Sequence, residues 1–163
     1  MTVDWDDLPK TVREAAQNRV GAVTDATTVR GGQNCDVATV LQTVGESVFL
    51  KGVHGVSRRM RFLRNEADAG RITAGVAPAV LFSDDVEDWF VVGFEYIHGR
   101  DANLAPNSDD LGRVAATLQR ISTVRAPHLR ALRDRWSPAD SWELLTDLEP
   151  ETTLAERKTR ELS

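Results

Sequence analysis

Short apolar runs separated by polar turns recur through the first hundred residues, and this pattern predicts β-strands. Residues 37–43 and 48–52 are rich in β-branched and aromatic side chains, and residues 44–47 supply a turn between them. We therefore predict a β-hairpin. Its second strand reads Val-Phe-Leu-Lys-Gly, so one charged residue, Lys51, stands among apolar neighbours.

Three further strands are predicted on the same grounds. Residues 26–30 precede the hairpin, and residues 79–82 form a short apolar run that ends at an acidic turn, residues 83–88. Residues 89–96 are almost entirely apolar, which predicts a central strand covered on both faces.

Apolar residues at three- and four-residue spacing predict helices around these strands. The first helix begins after Asp7, its predicted N-cap, and ends at Gly21, and the second is capped by Ser57 and Gly70. A third follows the capping residues 107–109. Its apolar stripe consists of Leu111, Val114, Ala115, Leu118 and Ile121. Strands and helices together predict an α+β domain.

Composition narrows the classes of function. The 163 residues are 41% hydrophobic with a net charge of −5, which fits a globular protein and excludes the basic surface expected for binding nucleic acid or anionic membranes. The single cysteine, Cys35, cannot form an internal disulfide, and the acidic start of the chain differs from a secretory signal. No apolar run approaches the ~20 residues that span a bilayer. We therefore expect a cytoplasmic protein without nucleic-acid or membrane partners.

Lys51 has a candidate partner on the following helix. Glu66 lies beside the apolar face of the predicted helix 57–70. A strand lysine and a glutamate on the next helix form the ion pair of kinases, in which the ammonium contacts nucleotide phosphates and the carboxylate holds the flexible lysine stem. The alternative interpretation is a lysine that extends to solvent and a solvated glutamate.

The loop between the first two strands is a candidate phosphate-binding segment. It contains Gly31, Gly32, Gln33 and Asn34. Glycines let the backbone approach phosphate oxygens closely and point N–H groups at them. An ordinary hairpin turn is the alternative, and only the position of the loop, just before the hairpin that carries Lys51, favours the phosphate-binding interpretation. Cys35, in the same loop, has no assigned chemistry.

The order of these elements resembles the N-terminal lobe of the aminoglycoside phosphotransferase family, a kinase-like family that includes choline and homoserine kinases. The matching features, over residues 24–125, are the glycine loop, the strand with Lys51, the helix with Glu66 and the segment Phe-Glu-Tyr-Ile-His-Gly-Arg. The resemblance implies a kinase-like lobe with a five-stranded antiparallel sheet and one packed helix. The implied domains are the lobe at 1–100, a partial helical C-terminal lobe at 101–150 and a polar tail at 151–163.

The resemblance also implies ATP as the cofactor and a role for individual residues. Lys51 would contact the α and β phosphates and Glu66 would hold it, while Phe94 would border the adenine pocket. The loop over the phosphates would consist of Gly31, Gly32, Gln33 and Asn34. The hinge backbone that hydrogen-bonds adenine would consist of Glu95, Tyr96 and Ile97. For Glu95 and Tyr96 the alternative is a half-exposed pair at a strand end.

The sequence departs from the family pattern at the catalytic step. Members position the acceptor hydroxyl with an Asp in an H-x-D-x-x-x-x-N loop and bind Mg²⁺ through the Asn and a later Asp. The nearest match, residues 145–152, has Asp147 at the catalytic position but Leu145 for the His and Thr152 for the Asn. We therefore expect no Mg²⁺-assisted transfer, and a truncated phosphotransferase that is inactive alone.

Two other hypotheses stay open at this point. One is a non-catalytic nucleotide-binding or protein-interaction module, in which a protein partner covers an exposed face of the lobe. The other is an α+β interaction domain unrelated to kinases, in which Lys51 and Glu66 lie apart. The sequence does not name an acceptor substrate, because one fold serves many substrates.

Overall fold

The computed structural model describes residues 2–30, 34–73 and 75–125. Its five strands form one antiparallel sheet in the order β1-β2-β3-β5-β4. The strands are β1 (Val23–Thr28), β2 (Val37–Thr43), β3 (Ser47–His54), β4 (Val80–Val86) and β5 (Trp89–Glu95). The predicted five-stranded antiparallel sheet is confirmed, and β5 is an inner strand, as its apolar sequence predicts.

Three α-helices accompany the sheet within these described ranges. Helix α1 (Lys10–Val20) follows a 3₁₀ turn at Trp5–Asp7, α2 (Arg58–Gly70) connects β3 to β4, and α3 (Asp110–Thr123) follows the sheet. None of these helices is both long and apolar enough to cross a membrane.

Helix α1 covers one side of the sheet, which we call the α1 face. Val12 and Ala16 of α1 are completely buried there. Successive residues of a strand point to opposite faces, so every second residue of the central strands reaches this side. The buried members of the cluster are Trp5, Leu8, Val12, Ala16, Val37, Leu41, Val48, Leu50, Phe82, Trp89 and Val91. This cluster is the larger part of the apolar core.

Helix α2 covers the opposite side, which we call the α2 face. Leu63 and Ala67 are its buried helical residues. They pack with the alternate residues of β3 and β5, so that Val91 belongs to the α1 face while Val92 belongs to the α2 face. The buried members of this cluster are Val53, Leu63, Ala67, Phe90, Val92 and Phe94.

The predicted end of the fourth strand at residue 82 is wrong, because β4 continues to Val86. The acidic residues that suggested a turn lie in the strand. Asp84 and Asp85 are consecutive, so their side chains point to opposite faces. Asp84 pairs with Arg19 of α1 at 2.6 Å, and Asp85 pairs with Arg64 of α2. The helices on both faces therefore supply the partners that make a polar sequence stable as an edge strand.

The predicted first residues of helix α1 and of strand β1 also differ from the structure. Asp7 does not cap α1, because Pro9 occupies the N-cap position and the residue before it is extended, as prolines require of their predecessors. Strand β1 begins at Val23 rather than residue 26, since Val23 already pairs with Thr43 of β2. Backbone pairing with β2 extends this strand beyond what its own composition suggests.

Several predictions fall outside the described residues. They concern the loop positions Gly31, Gly32 and Gln33, the catalytic-loop match at 145–152 and the tail at 151–163. The predicted domain boundaries stay predictions.

Candidate functional site

The alternation of β3 determines which way Lys51 points. Val48 and Leu50 are buried in the α1 face, whereas Phe49 and Val53 pack in the α2 face. Lys51 lies two residues from both Phe49 and Val53 along the strand, so its side chain points to the same side, the α2 face. The single charged residue of the strand thus lies under helix α2.

The structure brings Lys51 and Glu66 together. The Lys51 Nζ donates a hydrogen bond to Glu66 Oε1 at 2.6 Å. The Lys51 side chain is 24% exposed and that of Glu66 is 47% exposed, so the pair lies at the edge of the apolar cluster and in contact with solvent. This geometry is the one predicted for a kinase ion pair, and the catalytic role of the two residues stays a prediction.

Helix α2 is held at both ends in the position that presents Glu66. At its start the Ser57 Oγ accepts the Met60 N–H at 3.2 Å, which confirms the predicted N-cap. Gly70, predicted as the C-cap, is instead the last helical residue. A methyl group on Gly70 would overlap Val80 of β4, so this glycine lets the helix lie close to the sheet.

A cleft of about 380 Å³ opens beside the ion pair, within the size range of small-molecule sites. The Lys51 Nζ lies 5.4 Å from the centre of the Phe94 ring and 5.7 Å from that of Phe49. An ammonium at this distance is attracted to the ring faces. Phe49 was not singled out from the sequence, although its position two residues before Lys51 puts both on one face.

Two residues that follow the glycines and one residue of α2 also line the cleft. They are Asn34, Cys35 and Phe62. Burial raises the pKa of the Cys35 thiol above its ordinary value, and the charge of Lys51 opposes this shift. Of the predicted loop residues, Asn34 therefore borders the cleft, and the other three lie outside the described part of the chain.

The predicted hinge follows β5 directly. Phe94 is buried and pairs with Phe49 across the sheet. The Glu95 N–H donates to the Ala79 carbonyl at 2.8 Å, so this donor is already used. Tyr96 packs edge-on against His98 with ring centres 4.7 Å apart, and Ile97 is exposed.

A further ion pair, which the sequence did not indicate, follows the predicted hinge. The Arg100 guanidinium donates to Asp110, at the start of α3, at 2.6 Å. The same carboxylate accepts the Asn103 N–H at 2.8 Å. These hydrogen bonds, the one from Arg100 above all, hold the pKa of Asp110 below its ordinary value. They connect the segment after β5 to the first turn of α3.

The cleft combines one positioned ammonium, which attracts an anionic group, with the rings of Phe49 and Phe62, which suit a flat apolar one. Among residues 2–30, 34–73 and 75–125, no group of three or more His, Cys, Asp or Glu side chains is arranged to hold a metal ion.

Comparison with known proteins supports the fold. No protein-family model matches the chain, and no curated protein matches it. A crystal structure from Haemophilus somnus, provisionally named a fructosamine-3-kinase, is similar with a TM-score of 0.51 at 15% sequence identity. The similarity covers 72% of this chain and 40% of that protein's length. The described part of the chain therefore has a kinase-like α+β fold, with the five-stranded sheet and packed helix of an N-terminal lobe.

Proposed function

We propose that this lobe binds ATP and that the protein belongs to the small-molecule phosphotransferases related to the aminoglycoside phosphotransferase family. The observation that carries the proposal is the Lys51–Glu66 ion pair in the wall of a cleft lined by aromatic rings. A cation held in place attracts the phosphates of a nucleotide. A carboxylate that holds the lysine side chain in position reduces the conformational entropy that is lost on binding.

The cleft and the hinge offer places for the two ends of the nucleotide. Lys51 and Asn34 lie where the phosphates would bind, and Phe49 and Phe94 lie between them and the hinge. Because the Glu95 N–H is used by Ala79, adenine would bind to the Glu95 carbonyl and to the backbone of the two residues that follow it. ATP supplies a transferable phosphoryl group when it is bound.

We propose that binding, not transfer, is the activity of this chain by itself. Phosphoryl transfer needs a residue that positions the acceptor hydroxyl and carboxylates that hold Mg²⁺. The 163 residues contain no H-x-D-x-x-x-x-N motif, and we assign no Mg²⁺ site to the lobe. Release of phosphorylated product from the purified chain, with ATP, Mg²⁺ and small alcohols or a fructosamine as acceptors, would overturn this part. We also propose the cytoplasm as the compartment, which fits an ATP requirement and a free thiol at Cys35.

Nucleotide binding is tested by thermal unfolding with and without excess ATP. At about 100 times its dissociation constant a ligand adds about 2.7 kcal/mol to the free energy of unfolding, which raises the midpoint by several degrees. We expect this shift in the wild-type chain and its loss in Lys51→Met. Lys10→Met is the matched control, because Lys10 is 80% exposed on α1 and pairs with Glu14 of the same helix.

The outcome separates binding from general effects on stability. A shift that persists in Lys51→Met would place the nucleotide elsewhere, and no shift in a cooperatively unfolding wild-type sample would overturn the proposal. Titration by calorimetry with ATP and with adenosine then separates the phosphate contribution from that of the base.

A second candidate is a protein-interaction module, and one observation favours it. The apolar stripe predicted for α3 is exposed in the described residues, with Leu118 at 61%, Ile121 at 45% and Leu111 at 38%. Exposed apolar stripes of this kind are typical of interaction sites. Sedimentation of the wild-type chain and of Leu118→Glu tests it, since a module of this kind associates and the variant does not.

A further inference from the structure

Asp36 connects three segments around the candidate site. Its Oδ1 pairs with the Arg59 Nη1 at 2.6 Å, and its Oδ2 accepts the His54 N–H at 2.9 Å. Its own N–H donates to the Gly52 carbonyl at 2.9 Å, and its carbonyl accepts the Val3 N–H at 2.7 Å. One residue thus connects the start of β2, the end of β3 and the first turn of α2.

The position of these contacts relates them to the cleft. Asp36 directly follows the loop residues Asn34 and Cys35, which line the cleft. Arg59 lies seven residues before Glu66 on α2. The two charged residues are therefore joined by two turns of rigid helix with a total rise of about 10 Å. Moving Arg59 away from Asp36 would therefore tilt the helix that presents Glu66 to Lys51.

We propose that the Asp36–Arg59 ion pair is a positioning pair that holds α2 against the loop residues 34–36 and so keeps the two walls of the cleft around Lys51 together. The effect of this pair on nucleotide affinity rests on the proposed function. Its effect on the closure of the cleft does not, and can be measured without nucleotide.

A second ion pair on the other face provides a matched comparison. Arg19 and Asp84 also meet at 2.6 Å, with side chains 55% and 20% exposed, against 42% and 16% for Arg59 and Asp36. Both pairs join a helix to the sheet or its adjoining loop. Neither pair lines the cleft itself, but Asp36 directly follows the cleft residue Cys35, and Arg59 lies on the same helix as the cleft residue Phe62. Arg19 and Asp84 lie on the opposite face, so effects specific to the Asp36–Arg59 pair report positioning rather than the general loss of an exposed ion pair.

Cys35 is the built-in probe of closure, because it is the only cysteine and is half-buried in the cleft. We expect N-ethylmaleimide to modify Arg59→Gln about three- to tenfold faster than wild type, since local opening exposes the thiol. Arg19→Gln should react at the wild-type rate. Electrostatics alone predicts the opposite sign, because the Arg59 charge lowers the pKa of Cys35 and its removal leaves less reactive thiolate.

The nucleotide experiment is run on the same variants. We expect the dissociation constant for ATP to rise about three- to tenfold in Arg59→Gln, to stay unchanged in Arg19→Gln and to recover in part in Arg59→Lys, which keeps the charge. Urea unfolding of each variant verifies that labelling and titration are done on folded protein.

Each outcome decides one of the two proposals. Labelling of Arg59→Gln at or below the wild-type rate overturns the positioning pair. Faster labelling with unchanged ATP affinity also overturns its role in positioning the site. Faster labelling in a chain whose wild type does not bind ATP supports the closure of the cleft and overturns the proposed function instead.

Discussion

The two faces of the sheet are similar in construction and differ in where their charged side chains lie. Each has one helix, one apolar cluster and one ion pair to β4: Asp84 with Arg19 on the α1 face and Asp85 with Arg64 on the α2 face. On the α1 face the cluster extends without interruption from Trp5 to the sheet.

The α2 face is interrupted by charge. Lys51 projects from the middle of β3 into this side, meets Glu66 and borders a cleft of about 380 Å³. Burying the two charges completely would cost more than their attraction returns, so the face stays partly open to water. The comparison shows a difference in where charge lies: the α1 face carries the larger part of the apolar core, and the α2 face carries an ion pair beside a cleft.

The largest expected effect on the free energy of unfolding comes from a comparison of two consecutive residues of β3. Leu50 is completely buried in the α1 face, so Leu50→Ala should lower the free energy of unfolding by about 2–5 kcal/mol. Lys51→Met should change it by less than about 1 kcal/mol, because Glu66 remains 47% exposed to water when its partner is lost. Urea unfolding without nucleotide measures both. Equal losses would contradict the division between the faces.

An intermediate effect is expected from filling space in the α1 face. A methyl group on Gly93 of β5 would overlap the Phe82 ring, so Gly93→Ala should cost about 1–3 kcal/mol of unfolding free energy through overpacking. Gly45→Ala is the control, since nothing lies within 4 Å of the added carbon there. Chemical denaturation of the two variants decides the matter, and a neutral Gly93→Ala would show that the α1 face is packed more loosely than described.

The smallest expected effect is on the stability of the protein at low pH. Asp4, next to Trp5 of the α1 face, accepts the Thr28 hydroxyl at 2.7 Å, and this hydrogen bond, followed by the charge of Arg30, holds the pKa of Asp4 below its ordinary value. A lowered folded-state pKa adds stability above the unfolded value of about 3.9 that is lost as the pH falls through the folded value. We expect Asp4→Asn to reduce stability slightly at pH 7 and to flatten its decline below pH 4. Unfolding curves at both pH values test this, and a parallel decline in wild type and variant would contradict it.

Much of the fold was predictable because its signals are local. The five strands and three helices follow from apolar periodicity and caps such as Ser57, all read within a few residues. The acidic end of β4 was mispredicted because its stability depends on arginines of two distant helices. Asp84 and Asp85 are polar in sequence and become strand residues only through Arg19 and Arg64.

The candidate site was predicted in part for the same reason. Lys51 and Glu66 were found because a lone charge in an apolar strand is visible in the sequence, and the structure places them 2.6 Å apart. Phe49 and Arg59 were missed. Apolar residues and surface arginines are common, and nothing in the neighbouring sequence distinguishes those that line a cleft or form an ion pair beside one.

The sequence by itself determined the α+β class, the strand that carries Lys51 and the helix that carries Glu66, because periodicity and charge act over a few neighbouring residues. Only the tertiary structure decided the strand order, the division into two faces and the contacts of Asp36, which join residues up to 33 positions apart. Such contacts depend on where folding brings distant backbone segments together, and no short stretch of sequence contains that information.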